Sequence, residues 1–448
     1  MEHYTSNIVL PLNPRKEVLL NFDGGSLTSD IGVLLLNQAD HRIGLTRKLA
    51  NAVQDNRQKA KISHPFEEVV QARVLAIAAG YPDANDLDSL RRDPAFKMAC
   101  GRNPATGEAL VSQPTLSRYE NSLTKADLLR MGTAVAQCVI DQLPAETRHV
   151  TLDIDATDDP CHGQQEFEGF NAYYDNHCYI PLLVQITDGE GTQWPVAALL
   201  RSGRSSPTAG ACSLLRRIVG LLRLRFPGIK ITVRGDSAFG CDKVLRCLDA
   251  LKVHYLLGIG QNACLSRLGL PVVKRCLKQS IKEGPGCKAH GSFFYQAGSW
   301  DRMRRVIVKV ENIQGEANAR YVVTNLWHLK SEQGYIEYCG RGDHENRIKE
   351  MKLDLVSGRT SCHRFLANQG RLLMHLAAYV LWTVVRLAAA GTRWAKMQVG
   401  TLRLQLLKVA ARVVESTRRV WVQVCSSYPY QDAWRRVQAR LQASSAAT

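Results

Sequence analysis

The stretch RHVTLDIDATDDP, residues 148–160, decides the fold of this chain. Apolar and polar residues alternate from position 150 to position 155, which is the period of a half-buried β-strand. Asp155 ends the alternation, and Asp153 lies on the same face of the strand because side chains alternate with a period of two. The stretch therefore predicts a strand that ends in carboxylates, ahead of a loop that contains Asp158 and Asp159.

The segments that follow predict an α/β core. Strands are predicted at residues 149–155, 179–187, 194–200, 229–233 and 253–259, and helices at residues 207–226 and 241–251. The order β-β-β-α-β-α-β is that of a ribonuclease-H-like core built on one sheet. In this topology the first and fourth strands are expected to be neighbours, so that their ends meet.

Two more acids complete a candidate site. Asp236 follows the fourth strand, and Glu345 lies in a helix predicted over about residues 333–355. Carboxylate oxygens are the ligands that Mg²⁺ prefers, and two such ions can activate a nucleophile and stabilise the leaving oxygen of a displacement at phosphorus. Asp155, Asp236 and Glu345 are therefore the expected catalytic residues and ligands of Mg²⁺ or Mn²⁺, with Asp153 as an alternative to Asp155.

The helix that carries Glu345 has a distinctive polar stripe. Tyr338, Arg341, Glu345 and Lys352 are spaced three, four and seven residues apart. In a continuous helix of about 3.6 residues per turn these positions share one face. A carboxylate between two cations suits a metal ligand among phosphate-binding groups. A salt-bridged surface helix is the alternative, because Arg341 and Glu345 also form an i,i+4 pair.

The charge of the chain points to a polyanionic partner. The formal net charge is +17, and the segment from residue 359 to the end has fourteen Lys or Arg against two acids, Glu415 and Asp432. A surplus of this size creates a long-range attractive field for polyanions. Nucleic acid is therefore the expected partner of this basic segment, with a merely solvated basic face as the alternative.

Several motifs of this chain resemble those of one family. The spacing Tyr338-x2-Arg341-x3-Glu345-x6-Lys352 matches the Y-R-E-K signature of insertion-sequence DDE transposases, and residues 152–160 with Gly163-x-Gln165 resemble the first-acid block of the insertion-sequence thirteen-eighty family. Further blocks that look similar are Phe22-Asp23-Gly24-Gly25, Ala79-Gly80-Tyr81-x-Asp83-Ala84-Asn85-Asp86 and Gly400-Thr401-Leu402-Arg403. The resemblance therefore covers nearly the whole chain.

The resemblance implies movement of a DNA element bounded by terminal inverted repeats. Water and then a DNA 3′-hydroxyl would be the nucleophiles of cleavage and of strand transfer into target DNA. Carried over by position, the three acids would bind the metal ions, and Tyr338, Arg341 and Lys352 would contact DNA near the cut. The enzyme would act as a homodimer on double-stranded DNA, associated with the bacterial nucleoid in the cytoplasm. The alternatives are a ribonuclease-H-like nuclease without strand transfer and a catalytically inactive DNA-binding protein.

Four parts of the chain are predicted. They are a helical N-terminal DNA-end-binding domain at residues 1–145, a catalytic core at 148–260 and 331–358, a β-rich insertion at 261–330 and a basic helical C-terminal region at 359–448, which contains Arg403 as a candidate DNA contact. In the first part, a short polar helix near residues 112–121 contains Arg118, which is a candidate for reading DNA. An ordinary surface helix is the equal alternative.

The sequence gives little support for a zinc-binding protein or a membrane protein. The thirteen cysteines occur singly, without a C-x-x-C pair, and Cys161-His162 with His177-Cys178 fits no standard zinc spacing. The longest apolar run, residues 372–385, is shorter than the ~20 residues of a membrane-spanning helix. It predicts a buried core helix, and neither a membrane partner nor a secretion signal is expected.

Four aromatic residues follow the first-acid block. Phe167, Phe170, Tyr173 and Tyr174 are interleaved with polar residues. Such rings could stack on nucleic-acid bases, but a packed hairpin is the expectation.

Overall fold

The computed structural model of the protein describes residues 7–12, 15–284, 286–313 and 316–443. The extreme ends of the predicted N-terminal and C-terminal parts, residues 1–6 and 444–448, lie outside the described residues. The fold is mixed α/β, as expected.

The segment before residue 146 is mainly helical, as predicted, after three short strands. Its described elements are β1 (Ile8–Leu10), β2 (Val18–Leu20), β3 (Leu27–Thr28), α1 (Val33–Ile43), α2 (Leu45–Asn51), α3 (Phe66–Ala78), α4 (Asp86–Leu90), α5 (Pro94–Ala99), α6 (Gln113–Ser122) and α7 (Lys125–Ile140). The helix predicted near residues 112–121 is confirmed by α6. A capping box between Thr124 and Asp127 starts α7 by satisfying two free backbone donors.

The predicted alternation of strands and helices follows. Its elements are β4 (His149–Ala156), β5 (Asp159–Pro160), β6 (Gly169–Asn171), β7 (Asn176–Tyr179), β8 (Leu182–Thr187), β9 (Gln193–Leu199), α8 (Ala211–Arg225), β10 (Lys230–Gly235), α9 (Asp242–Ala250) and β11 (His254–Ile259). The single strand predicted over residues 179–187 is two strands, because Pro181 lacks the N–H that a ladder requires. The short strands pair separately in the order β5-β7-β6.

The rest of the chain departs further from expectation. Its elements are α10 (Ala263–Glu283), β12 (Lys288–Tyr295), β13 (Arg304–Ile313), β14 (Glu316–Thr324), α11 (Ser331–Cys339), α12 (Gly342–Leu353), α13 (Phe365–Ala388), α14 (Val399–Leu402), β15 (Ala411–Glu415), β16 (Val420–Val424) and α15 (Gln431–Ala443). The helix α10 was not predicted. Its buried Leu265, Val272 and Cys276 are seven and four residues apart, which is a helical spacing.

One eight-stranded sheet organises the molecule, in the order β12-β13-β14-β11-β10-β4-β8-β9. The first and fourth predicted strands, β4 and β10, are parallel neighbours, which confirms the expectation, and Gly235 lies opposite Ile154. The strands β12 to β14 extend this same sheet, because β14 pairs antiparallel with β11.

The C-terminal segment is helical only in part. The antiparallel strands β15 and β16 interrupt it, and β15 also pairs with β3 near the other end of the chain, so the prediction of a helical region holds only for part of this segment. Alternating Val413 and Ala411 are buried on one face of β15, which is the period of a strand and not of a helix. Segments from both ends of the chain therefore form one small sheet.

The helix α13 lies at the centre of the packing, against α3, α7 and β9. In the described part of the chain it is the one helix long and apolar enough to cross a membrane, and 94% of its most apolar window is buried in the protein. The prediction of a buried core helix over residues 372–385 is confirmed.

A buried carboxylate anchors α12 to this centre. Glu350, 3% exposed, accepts hydrogen bonds from Tyr379 Oη (2.5 Å), Val399 N (2.5 Å) and Arg347 Nη1 (3.1 Å) and forms an ion pair with Arg386. It thereby joins α12 to α13 and α14. Because a buried charge needs such partners, the position of α12 depends on this residue.

We expect Glu350→Gln to lower the free energy of unfolding by about 3–5 kcal/mol, the usual cost of breaking a buried ion pair. Urea denaturation followed by tryptophan fluorescence measures the change. The matched control is Glu67→Gln, whose side chain is 57% exposed and lies 4.0 Å from Arg47; it should cost less than about 1 kcal/mol. Equal unfolding midpoints for the two variants would contradict the anchoring role.

Candidate active site

Two of the predicted acids lie at one edge of the sheet. Asp155 is near the end of β4, and Asp236 directly follows β10, its parallel neighbour. Carboxyl ends of parallel strands meet at the same edge, so both carboxylates are there. Burial, together with the negative charge of Asp236, raises the pKa of Asp155 to about 6, while the positive charge of Arg341 opposes the shift.

Arg341 links the third acid, Glu345, to Asp155. Its guanidinium bonds Asp155 Oδ2 through Nη1 at 3.0 Å and Glu345 Oε1 through Nη2 at 2.6 Å. Burial alone would lower the pKa of Arg341, but Asp155, Tyr338 and Glu345 together raise it. One cation therefore lies between two predicted ligands. The side chain of Glu345 is 45% exposed, whereas that of Asp155 is 13% exposed.

Arg341 has this position because the predicted helix is broken. The helix α11 ends at Cys339 and α12 begins at Gly342, so the single helix predicted over residues 333–355 was wrong. The break falls at glycines 340 and 342, which lower helix stability, and backbone bonds there run three residues back, from Arg341 N to Tyr338 O and from Asp343 N to Gly340 O. A Cβ at Gly340 would come within 2.4 Å of Arg234 Nη1, so the missing side chain permits this close contact. The guanidinium of Arg341, in this elbow (residues 340–341), reaches the acids.

Arg234 in turn is held by Asp153. Its Nε and Nη2 donate to the two carboxylate oxygens of Asp153, both at 2.7 Å, and its Nη1 donates to Glu337 O at 2.7 Å. Asp153 is fully buried. The pair lies directly across β4 and β10 in register. Both oxygens of Asp153 are therefore occupied, while Asp155 faces the edge of the sheet.

Tyr338 closes one side of a cavity beside the acids. The cavity has a volume of about 520 Å³ and is lined by Asp236, Tyr338 and Arg341, together with Gly258 at the end of β11. A Cβ at Gly258 would lie 2.8 Å from Tyr338 Oη and 3.0 Å from Ser237 N, so a larger residue would displace its neighbours. Burial raises the pKa of Tyr338, which keeps its hydroxyl protonated.

Lys352 contacts the loop that follows β4. Its Nζ donates to Asp158 Oδ1 at 2.7 Å and to Thr157 Oγ1 at 3.1 Å. The two cations that flank Glu345 in the sequence signature, Arg341 and Lys352, thus both reach the segment of the first acid.

The other two predicted DNA contacts lie elsewhere. Arg118 donates to Pro114 O at 3.1 Å within α6 and, with Arg57 and Arg130, lines a cleft of about 500 Å³. Arg403 donates to Asp354 O at 2.5 Å. It is half-buried, so its charge is not presented freely as the basic-tail interpretation requires. Among the described contacts, none joins Arg118 or Arg403 to the three acids.

Sequence reasoning missed Arg234 and Gly340. A signal for Arg234 was available, because an arginine next to the apolar Val233 near the end of a strand needs a partner if it is buried, and Asp153 stands in a neighbouring predicted strand. The pair of glycines at 340 and 342 was a local signal for the helix break. The contact of Gly340 with Arg234 had no such signal, since it joins distant segments.

Within the ranges that the structure describes, no three His, Cys, Asp or Glu side chains are close enough together to hold a metal ion. Of the three predicted metal ligands, Asp155 and Glu345 are separated by the guanidinium of Arg341. Cys161 and His177 pair through their backbones, with Cys161 N donating to His177 O at 2.9 Å.

Comparison with known proteins identifies the family. The chain matches the family model described as transposase DDE domain group 1 over residues 10–446, a range that includes Asp155, Asp236 and Glu345. A comparison with curated proteins gives no match. Because the family match spans nearly the whole chain and the acids lie around one edge of the sheet, this protein belongs to the DDE-domain transposases of group 1.

Proposed function

We propose that this protein is an insertion-sequence transposase of the thirteen-eighty kind, which cleaves DNA at terminal inverted repeats and joins a 3′-hydroxyl to target DNA. The observation that carries the proposal is the contact of Arg341 with both Asp155 and Glu345, beside Asp236 at the carboxyl edge of β4 and β10. The order β4-β8-β9-α8-β10-α9-β11 supports a ribonuclease-H-like core.

The donor set suits Mg²⁺ or Mn²⁺. Asp155 and Asp236 repel one another, and the pKa of Asp155 is raised by burial and by this repulsion, so added positive charge at this edge is favourable. Two divalent ions bound by the three carboxylates would activate the nucleophile and stabilise the leaving oxygen. In the protein without bound ions, the guanidinium of Arg341 supplies a positive charge beside Asp155.

The side chains of the site would have different roles according to how firmly each is held. Asp155 and Asp236 are fixed by strand ends, while the half-exposed Glu345 can turn toward them from an anchored helix. Once its carboxylate partners are otherwise engaged, Arg341 can donate two parallel hydrogen bonds to a phosphate. Tyr338 and Lys352 would bind the DNA backbone on either side.

We propose Asp155, not Asp153, as the first ligand. Both oxygens of Asp153 already accept hydrogen bonds from Arg234, and breaking a buried pair of this kind is costly. Asp153 would then be a positioning residue for the elbow that carries Arg341.

Recognition of DNA would be separate from cutting. Carboxylates with bound metal hold any phosphodiester, so bases must be read elsewhere. We assign this role to the N-terminal segment, residues 1–145, with Arg118, and non-specific binding to exposed arginines of the C-terminal segment. A homodimer on DNA would pair the two ends of the element before cutting.

Each of Asp155→Ala, Asp236→Ala and Glu345→Ala should lower cleavage by more than the ~10–100-fold that loss of an outer-shell partner costs, with DNA binding largely kept. Cleavage of a plasmid that carries the gene with its flanking sequences measures this. The matched pair is Asp155→Asn, which should fold normally and fail to cleave, and Asp153→Asn, which should lose about 3–5 kcal/mol of stability. Normal cleavage by Asp155→Asn, together with loss in a stably folded Asp153→Asn, would assign the first ligand to Asp153.

Cleavage should require Mg²⁺ or Mn²⁺ and stop with chelator, while Ca²⁺ should support binding but not chemistry because its coordination is looser. Calorimetric titration with Mn²⁺ gives a second measurement: wild-type protein with DNA should bind two ions, and Asp236→Ala fewer. Full cleavage in chelator would exclude the metal mechanism.

Two kinds of arginine should behave differently in DNA binding. Reversing the exposed Arg418 and Arg419 to Glu should reduce the slope of log affinity against log salt by about 0.9 for each phosphate that the variant no longer neutralises, on any sequence. Arg118→Ala should instead weaken binding to terminal-repeat DNA more than to random DNA. Unchanged salt slopes would show that the tail faces solvent, and equal losses on both DNAs would remove the reading role of Arg118.

A further inference from the structure

The strand β14 brings a cation to the same edge of the sheet as the acids. It pairs antiparallel with β11, which in turn pairs parallel with β10, the strand that Asp236 directly follows. Ile259, the last residue of β11, lies opposite Tyr321, and Arg320 directly precedes Tyr321. Because β14 runs antiparallel, Arg320 is therefore at the carboxyl edge of β11. Only two interstrand spacings, about 10 Å in all, separate β14 from β10.

One cavity joins Arg320 to the candidate active site. The cavity of about 520 Å³ beside the acids is lined by Arg320 as well as by Asp236 and Arg341. Gly260, which follows β11 between the two strands, also lines it, and a Cβ there would meet none of the described atoms beyond its chain neighbours within 4 Å. A substrate held at Asp236 can therefore extend along this cavity toward Arg320.

The side chain of Arg320 lies on the face of the sheet that carries α11. Tyr321 is buried on the other face, since a Cβ at Gly269 of α10 would lie 3.0 Å from Tyr321 Oη. Side chains alternate along a strand, so Arg320 lies on the opposite face from Tyr321. Lys309, its partner across the strands, has Nζ 6.0 Å from the ring centroid of Tyr335 on α11. Tyr335 lines the same cavity.

The charge of Arg320 is not neutralised within the sheet. Lys309 lies directly opposite it on β13, and like charges at such positions are unfavourable. Glu311, two residues further along β13, forms ion pairs with Lys309 and Lys288. Arg320 itself is exposed and takes part in none of the ion pairs among the described residues. A cation that its own sheet does not favour, beside a site proposed for DNA, indicates a ligand of negative charge.

We propose that Arg320 binds a phosphate of the cleaved DNA strand next to the one held at Asp155 and Asp236. The inference rests on the proposed DNA cleavage and assigns a role in it to β14. The strand would run along the carboxyl edge of the sheet from β4 across β10 and β11 to β14. A guanidinium suits this position because it can donate two parallel hydrogen bonds to a phosphate. Arg320 would fix the path of the strand and take no part in the displacement itself.

The test uses duplexes that span one end of the element and carry a single methylphosphonate, an uncharged linkage, at successive positions on either side of the cleaved bond. Binding is measured in Ca²⁺ and cleavage in Mg²⁺. For wild-type protein, one neutral linkage close to the cleaved bond should weaken binding by roughly tenfold, the change expected from one hydrogen bond to a charged group. Arg320→Gln should bind unmodified DNA roughly tenfold more weakly and should lose its sensitivity to that linkage alone, because the two changes remove the same contact.

Two further variants separate this contact from a general effect of charge. Arg267→Gln removes another exposed arginine, on α10 at the other face of the sheet, and should bind every duplex as wild type does. Arg320→Lys should retain part of the lost affinity and part of the sensitivity. Because Arg320 lies opposite Lys309, Arg320→Gln should unfold at the same urea midpoint as wild type or at a higher one.

Three results would overturn the inference. Arg320→Gln could respond to every neutral linkage as wild type does, or Arg267→Gln could lose as much affinity as Arg320→Gln. Alternatively, unchanged sensitivity with a lower urea midpoint in Arg320→Gln would give this arginine a structural role. Normal binding and cleavage by wild-type protein would leave the proposed function intact in each of these cases. Wild-type protein that binds none of the duplexes would instead count against the proposed function itself, and this inference would fail with it.

Discussion

The buried ion pair between Asp153 and Arg234 is the constraint on which the candidate site depends. A guanidinium inside a sheet must have its donors satisfied, and Asp153 takes two of them across neighbouring parallel strands. The remaining donor bonds the carbonyl of Glu337, and a Cβ at residue 340 would lie 2.4 Å from the same guanidinium. The elbow between α11 and α12 therefore packs closely on this ion pair, and Arg341, in the elbow, lies between two carboxylates.

The site thus combines groups with very different freedom. Strand ends fix Asp155 and Asp236, and buried Glu350 fixes the helix that carries Glu345, but the Glu345 side chain itself stays half-exposed. This division suits a reaction in which charge must be rearranged around a large substrate. In the proposed reaction, the two firmly held carboxylates would define the place of the phosphodiester, and the half-exposed Glu345 would adjust to it.

Local sequence patterns were sufficient to predict the part of the candidate site that lies at strand ends. Alternation predicted β4, and strand order predicted that β10 lies beside it, so Asp155 and Asp236 could be brought together from the sequence. The spacing from Tyr338 to Lys352 was informative, yet the continuous helix inferred from it was wrong, because the chain is broken at glycines 340 and 342. The pairing of β15 with β3 was missed because it depends on contacts between distant segments. The helix α10 was missed although its buried residues have a local helical spacing. The assignments of Arg118, Lys352 and the metal ligands stay predictions.

The pairing of β3 with β15 has a consequence for biosynthesis. Thr28 finds its partner Ala411 only after roughly 380 further residues have been added, and Ile31 and Gly32 likewise donate to carbonyls near residue 408. At about 5–20 residues per second on the ribosome, this delay is at least ~20 s. The nascent chain can pair β1 with β2 early, but it cannot complete the sheet β16-β15-β3 until nearly the whole chain has been made. A translation product that stops before residue 411 therefore leaves β3 without its partner strand.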